Sequence, residues 1–166
     1  MSCRVVIALG GNLGAPDALL RAGWADVVAA LRLDNPVLSP IFRTPPAEQA
    51  SGPDFANAVG VGYTRCDAGE TLEALLAIER RHGRDRAREG YHGARPLDLD
   101  LVDWGGIVHR DARLTLPHPR AHRRAFVLVP LASVVPDWRF PGHDTTVAEL
   151  LAARPASERA AVRPWA

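Results

Sequence analysis

The sequence predicts an α+β fold, an antiparallel sheet with helices packed on it. Three observations lead there. Leu97 to Asp103 alternates apolar and acidic residues, the pattern of a half-buried strand. Arg4 to Leu9 and Phe55 to Val61 are apolar runs of strand length. Two further stretches carry apolar residues at helical spacing, Leu20, Trp24, Val27 or Val28 and Leu31, and then Leu72, Leu75, Leu76 and Glu79.

Taken in order, the β-branched run Arg4 to Leu9 is the first strand, and Gly10-Gly11-Asn12-Leu13-Gly14 turns the chain. Such a glycine-rich turn is either a plain tight turn or a phosphate cradle at a helix N-terminus, and it lacks the G-x-G-x-x-G order. Pro16 suits the first turn of the helix that follows, and Asn35-Pro36 breaks that helix. Val37 to Arg43 reads as a second strand, stopped by Thr44-Pro45-Pro46 because proline fixes φ and removes a donor. Ala47 to Asp54 is a polar loop, and Phe55 to Val61 resumes strand character. Asn57 inside that run is either an edge residue facing water or an amide set to read the edge of a heterocycle. Asp67-Ala68-Gly69-Glu70 resembles a capping box opening the second helix, which Gly83 can close. Arg84 to His92 is too polar to pack and reads as an exposed loop.

After the alternating strand, Trp104-Gly105-Gly106 is a turn, and Leu114 to Pro119 is a short extended piece with a rigid corner. His118, between two prolines, is either a generic surface histidine or a phosphate contact. Phe126 to Leu131 is apolar and ends at Pro130, and Val147 to Leu151 suggests a short last helix. Residues 154–166, rich in Ala, Pro and Arg, are expected to fray. The order strand, helix, strand, strand, helix, strand is the split βαβ, ferredoxin-like layout with its helices on one face and extra C-terminal elements, and the sequence does not fix the face of the later helices. Residues 1–166 are expected to form a single domain, with no internal repeat and no linker.

Composition excludes some chemistry. The chain has 166 residues, enough for one domain with a real core, and no apolar run approaches a membrane span of about 20 residues. The chain enters a strand at once, with no basic-then-apolar leader, so a soluble, cytoplasmic protein is expected. Cys3 and Cys66 have no metal-type spacing and read as reduced thiols. The net charge of +1 gives no attraction to nucleic acid or membrane. Every basic residue is Arg, so a P-loop lysine and a Schiff-base lysine are both excluded. Any phosphate must be handled by Arg, His or metal.

The stretch Gly93-Ala94-Arg95-Pro96-Leu97-Asp98-Leu99-Asp100-Leu101-Val102 concentrates the candidate chemistry. Leu97, Leu99 and Leu101 look into a core, and Asp98 and Asp100 share the other face with α-carbons about 7 Å apart. The pair is either a solvated sheet face or a cradle for hard divalent ions, since Mg²⁺ takes one or two carboxylates and completes its shell with water and phosphate oxygens. Arg95 adds a planar cation suited to bidentate phosphate contact.

Six motifs then fall in one register. Leu9 to Gly14, Arg43-Thr44-Pro45-Pro46, Phe55-Ala56-Asn57-Ala58-Val59, Glu79-Arg80-Arg81-His82-Gly83-Arg84, Gly93 to Val102 and Leu116-Pro117-His118-Pro119 together resemble 6-hydroxymethyl-7,8-dihydropterin pyrophosphokinase. That family of the folate pathway moves a diphosphate from ATP to a pterin alcohol, and the resemblance covers roughly residues 4 to 151. It implies ATP as co-substrate and two Mg²⁺ ions on Asp98 and Asp100. It implies a pterin between Phe55 and Phe126, read by Asn57 with help from backbone near Thr44, Pro45 and Pro46. Arg84, Arg86 and Arg95 match the phosphate-binding arginines, with Arg84 and Arg95 counted as catalytic beside the two aspartates. Leu101, Arg113, Thr115, His118 and Arg124 match the nucleotide side. Loops at 10–14, 47–54 and 84–94 are expected to close over ATP. The implied partners are the two small-molecule substrates, with no nucleic acid or membrane, and a monomer is expected. Tyr91 and His92 stand where the family usually has a tryptophan and a basic residue, and Leu76 stands in place of a glutamine that some members use on adenine. Two other readings of the acid pair are a metal-dependent phosphohydrolase and a ferredoxin-like binding module without catalysis.

Overall fold

The computed structural model describes residues 1–46, 52–83 and 96–166. Of the expected loops at 47–54 and 84–94, residues 47–51 and 84–94 lie outside the described residues, and so do the site residues Arg84, Arg86 and Arg95 with Tyr91 and His92.

The frame is an antiparallel sheet of β1 (Cys3–Gly11), β2 (Asp34–Leu38), β3 (Phe42–Thr44), β4 (Phe55–Thr64), β5 (Asp98–Trp104) and β8 (Arg163–Pro164). The spatial order is β5-β1-β4-β3-β8, with β2 also on β4. The expected second strand, Val37 to Arg43, is two strands. Pro40 has no N–H to give to a ladder, so pairing stops there and restarts at Phe42. Ser39 bridges the gap: its hydroxyl accepts from the Val59 N–H at 2.9 Å. A small ladder, β6 (His109–Arg110) with β7 (Thr115–Leu116), follows β5.

The strand alternation read in the sequence distributes side chains between two cores. On one face Val5, Ile7, Leu9, Leu99 and Leu101 pack with Leu20, Trp24, Val27 and Leu31 of α1 (Pro16–Leu31) and Leu75 and Ile78 of α2 (Ala68–Arg81). The capping box at the head of α2 forms as expected, with the Asp67 carboxylate accepting from the Glu70 N–H at 2.7 Å. On the other face Val6, Val59, Val61 and Val102 pack with Val127, Leu128 and Leu131 of α3 (Ala125–Val134) and Val147 of α4 (Val147–Ala152). Helices α1 and α2 take one face, as the split βαβ layout predicts, and α3 and α4, whose face the sequence does not fix, take the other. The reason is a second apolar stripe on the sheet, Val6, Val59, Val61 and Val102, which α3 and α4 bury. Helix α3 runs through Pro130, where the apolar run was expected to end, and stops at Val134.

The C-terminal tail is also corrected. Residues expected to fray form α5 (Ala156–Ala161) and then β8, which pairs with β3. Trp165 adds packing against the first core, and its N–H donates to the Ile41 carbonyl at 3.0 Å. No helix among the described residues is long and apolar enough to cross a membrane.

A register shift between β1 and β5 separates the Val6–Asp103 pair from the Ile7–Leu101 pair, leaving Val102 as the extra residue. The bulge carries Asp103 into a buried position, 1% exposed, where one carboxylate oxygen accepts from the Gly106 N–H. Burial pushes this carboxyl above the usual carboxylate range.

Two glycines of β4 mark where α1 and the residues just after it press on the sheet. A Cβ at Gly60 would stand 2.3 Å from the Trp24 ring, and one at Gly62 would stand 3.1 Å from Leu33. Gly60→Ala should therefore cost about 1–3 kcal/mol through overpacking. Urea unfolding checks this, with a lower midpoint at unchanged slope expected and an unchanged midpoint contradicting the contact.

Candidate active site

Helices α3 and α4 cover only part of their face of the sheet. Among the described residues the remaining part is a cleft whose floor spans β4, β1 and β5. Asn57, Gly10 and Asp98 are consecutive cross-strand partners there, and Val59, Ala8 and Asp100 form the next row. Side chains of such rows share a face. Gly10 and Ala8 keep the middle low, so Asn57 and Asp98 face each other across one side-chain-free strand, about 10 Å apart at the backbone. A Cβ on Gly10 would come to 3.3 Å from the Asn57 amide oxygen. The glycine-rich stretch therefore works as floor, not as a phosphate-cradling turn: β1 continues through Gly11. Sequence reasoning missed this role, although glycine inside a strand is a signal of close approach.

Six of the expected site residues line this first cleft: Asn57, Asp98, Asp100, His118, Arg124 and Phe126. Asn57 is 7% exposed, and its amide donates to the Thr44 hydroxyl at 2.7 Å, which fixes the amide plane. Thr44 pairs with Phe55 across β3 and β4, and Phe55 lies two residues from Asn57 on the same face. Pro45 and Pro46 continue from Thr44, the first exposed and the second half-buried. Phe126, 37% exposed in the first turn of α3, forms the opposite wall, with the Arg124 guanidinium 5.4 Å from its ring centre.

A second cleft wraps the edge strand β5 between α2 and β7. Leu72 and Leu76 of α2, Leu101, Arg113, Leu114 and Thr115 are among its walls. Four of the expected nucleotide residues, Leu101, Arg113, Thr115 and His118, thus meet here. Leu76 makes this wall apolar. The Arg113 guanidinium pairs with Glu73 of α2, and the turn carrying it is pinned by Asp111, which accepts from the N–H groups of Arg113 and Leu114. The hydrogen bond to His109, and then those two backbone bonds, hold the Asp111 carboxyl down to about 2.

The two clefts share Asp100 and His118. The backbone N–H of His118 donates to the Val102 carbonyl at 2.9 Å, and its Nδ1 accepts from the Arg120 N–H at 3.2 Å. That leaves Nε2 carrying the proton of the neutral ring. Burial, helped by the Arg124 and Arg120 charges, lowers the His118 pKa below its ordinary 6.5, so the ring is neutral at pH 7.

Beneath the acid pair, Glu79 is 2% exposed within the packed face of α2, and its carboxylate accepts from the Leu99 N–H at 2.8 Å. Leu99 separates the two aspartates. Glu79 was legible in the sequence only as a position on the helix face; the bond to β5 belongs to the tertiary structure.

Asp98 and Asp100 are both half-buried, share one face and open into the cleft. Among the described residues there is no group of three or more His, Cys, Asp and Glu able to hold a metal. A pair of carboxylates fits an oxygen-seeking ion that keeps water and takes further oxygens from a substrate, the habit of Mg²⁺. It does not suit a closed four-ligand zinc site.

Comparison with known proteins agrees with this architecture. The chain is similar to 2-amino-4-hydroxy-6-hydroxymethyldihydropteridine pyrophosphokinase of Pseudomonas aeruginosa, 37% identical over 92% of each chain. It is 36% identical to the protein of that name from Synechocystis, over 88% of this chain and 73% of that one. It is also 36% identical to the Mycobacterium leprae protein of that name, over 96% of this chain and 87% of that one. Among solved structures, an HPPK-DHPS chain in complex with substrates superposes with a TM-score of 0.71 at 10% identity, over 92% of this chain. A Plasmodium falciparum HPPK-DHPS with pteroate also gives 0.71, at 13% identity. The present chain spans 43% and 42% of those two chains, and at such identities they speak for the fold alone. The family model of 7,8-dihydro-6-hydroxymethylpterin-pyrophosphokinase matches residues 6–136, and the chain belongs to that family.

Proposed function

We propose that this protein carries out its family's reaction at the junction of the two clefts. It transfers a diphosphate from ATP to the hydroxyl of 6-hydroxymethyl-7,8-dihydropterin, giving AMP and the pterin diphosphate of folate synthesis. The observation that carries the reading is the sharing of Asp100 and His118 by two adjoining clefts of different character. One is flanked by an aromatic ring and a fixed amide, the other by apolar and arginine side chains. A two-substrate transfer needs such a meeting point.

In this reading the pterin lies in the first cleft against Phe126 and Phe55, and Asn57 reads its edge while Thr44, Pro45 and Pro46 bound it. The Asn57–Thr44 bond lets the amide meet the ring without reorganising, which favours affinity. The nucleotide takes the second cleft, against Leu101, Arg113 and Thr115, with its phosphates toward His118 and Arg124. Neutral His118 offers the Nε2–H to a phosphate oxygen without the desolvation cost of burying another cation. Arg84, Arg86 and Arg95 are assigned to the phosphates by their match to the family's arginines. Asp98 and Asp100 would hold Mg²⁺, two ions in this reading. Bound there, it supplies neutralisation of phosphate charge and a lower pKa for the attacking hydroxyl.

The hydroxyl gives its proton to solvent water and its oxygen bonds to the β-phosphorus as the bond from that phosphorus to the oxygen bridging to the α-phosphate breaks, and AMP carries that electron pair away. Charge shifts toward the bridging oxygen, so cationic groups aimed there stabilise the transition state more than the ground state. The protein mainly positions and neutralises. We take it to act as a monomer in the cytoplasm on these small molecules alone, and its net charge of +1 gives no general attraction to nucleic acid or membrane.

Incubation with ATP, Mg²⁺ and the hydroxymethyl-dihydropterin, followed by chromatography, tests the reading: AMP should form only when pterin is present, and release of inorganic phosphate without pterin would favour a hydrolase. Asp98→Ala and Asp100→Ala should each lower turnover by at least about 3 kcal/mol of transition-state stabilisation, more than a hundredfold. Turnover like the wild type in either variant contradicts the metal assignment. The His118 ring should titrate below 6.5 in NMR and move upward on ATP binding. Because its folded-state pKa lies under the unfolded value, stability contributed by the neutral ring is lost as pH falls through that range. A midpoint at or above 6.5 in the free protein contradicts its assigned environment.

A further inference from the structure

Strand β3 is three residues long, yet it carries Thr44, the partner of the Asn57 amide. A strand that short at a sheet edge has little to hold it. Here its outer side is taken by β8, with Phe42 opposite Pro164 and Arg43 opposite Arg163. Behind the sheet, away from the first cleft, the Arg43 guanidinium lies 4.1 Å from the centre of the Trp165 ring and donates to the Trp165 carbonyl at 3.4 Å. Arg43 also reaches the Asp54 carboxylate at 3.5 Å, and Arg163 reaches the same oxygen at 3.8 Å. Asp54 directly precedes Phe55. The C-terminal strand therefore grips both chain segments that carry Thr44 and Phe55, one through the ladder and one through the arginines. The C-terminal strand and Trp165 lie beyond residues 6–136, which the family model matches, while Arg43 and Asp54 lie within them.

We propose that β8 and Trp165 form a strap that belongs to the pterin site: it holds β3 from behind and thereby sets Thr44, Asn57 and Phe55 for the heterocycle. Trp165, Arg43 and Arg163 are positioning residues, since none of them faces the cleft. The proposal rests on the pterin assignment of the first cleft. Exposed ion pairs contribute little. The weight falls on the stacked Arg43–Trp165 pair and the main-chain ladder, whose loss frees β3 and makes the pterin order it on binding.

The strap predicts a split between the two ligands. Calorimetry should follow 6-hydroxymethylpterin binding in the presence of a non-hydrolysable ATP analogue and Mg²⁺, and binding of that analogue alone. Trp165→Ala and Arg43→Gln should each raise the pterin Kd about five- to tenfold, with the nucleotide Kd changed less than about twofold. Trp165→Phe, which keeps a ring over Arg43, should recover most of the pterin affinity. A chain ending at Val162 should show the larger loss; should it fail to fold, the two point variants decide, because they keep the main-chain pairing. An unchanged pterin Kd in folded Trp165→Ala, or equal loss of both ligands, overturns the strap. Asn57→Ala in the same series separates the two levels: it should weaken pterin and spare nucleotide. If it leaves pterin binding unchanged, the site assignment fails and takes the strap with it. If it weakens pterin binding while the strap variants do not, the strap alone is wrong.

Discussion

The structure depends on one alternation. Leu99 and Leu101 are buried against α1 and α2, at 4% and 5% exposure, so the register of β5 is held by its apolar face. A slip by one residue would drive Asp98 and Asp100 into that core and expose the leucines. Burial of the leucines is thus what presents the two carboxylates, together, to the cleft. Glu79 adds a second constraint from below, binding the N–H between them and capping a donor on the outer edge of the sheet.

The rest of the site follows from how the other face is shared. Helices α3 and α4 bury the valine stripe Val6, Val59, Val61 and Val102 at one end of the strands. At the other end the same rows carry Gly10, Asn57 and Asp98. The residues that would fill the space are missing by design of the sequence: glycine and alanine stand in the middle strand, and polar groups flank them. A packed core and an open cleft therefore lie on one sheet face, and the rigid half positions the polar half. Because β5 is the edge strand, Asp100 can be approached both from the sheet face and from around the edge, which joins the two clefts.

Much of this was legible in the sequence, and for physical reasons. Period-two alternation marks a strand with two different environments, so the leucines and aspartates sorted themselves. The capping box at Asp67 and the helical spacing of Leu72, Leu75 and Leu76 depend on neighbours close in sequence. What was not legible depends on partners far away. The break of the second strand was signalled by Pro40 itself, but the bridge from Ser39 to Val59 that spans it belongs to the tertiary structure. The placement of Asp103 depends on a bulge against β1. The tail looked unpackable by composition, yet Trp165 finds Arg43 across more than a hundred residues of chain. Gly10 read as a turn because its role is to leave room for something else.

The central claim is that the carboxylates of β5 gather the metal-bound triphosphate at the mouth of the first cleft. Paramagnetic broadening with Mn²⁺ in place of Mg²⁺, beside a non-hydrolysable ATP analogue, tests it most directly. The account predicts that the amide signals of Asp98, Leu99, Asp100 and Gly10 vanish first. Broadening centred on Asp34 and Glu70 at the far end of the sheet, with those four signals intact, would contradict it.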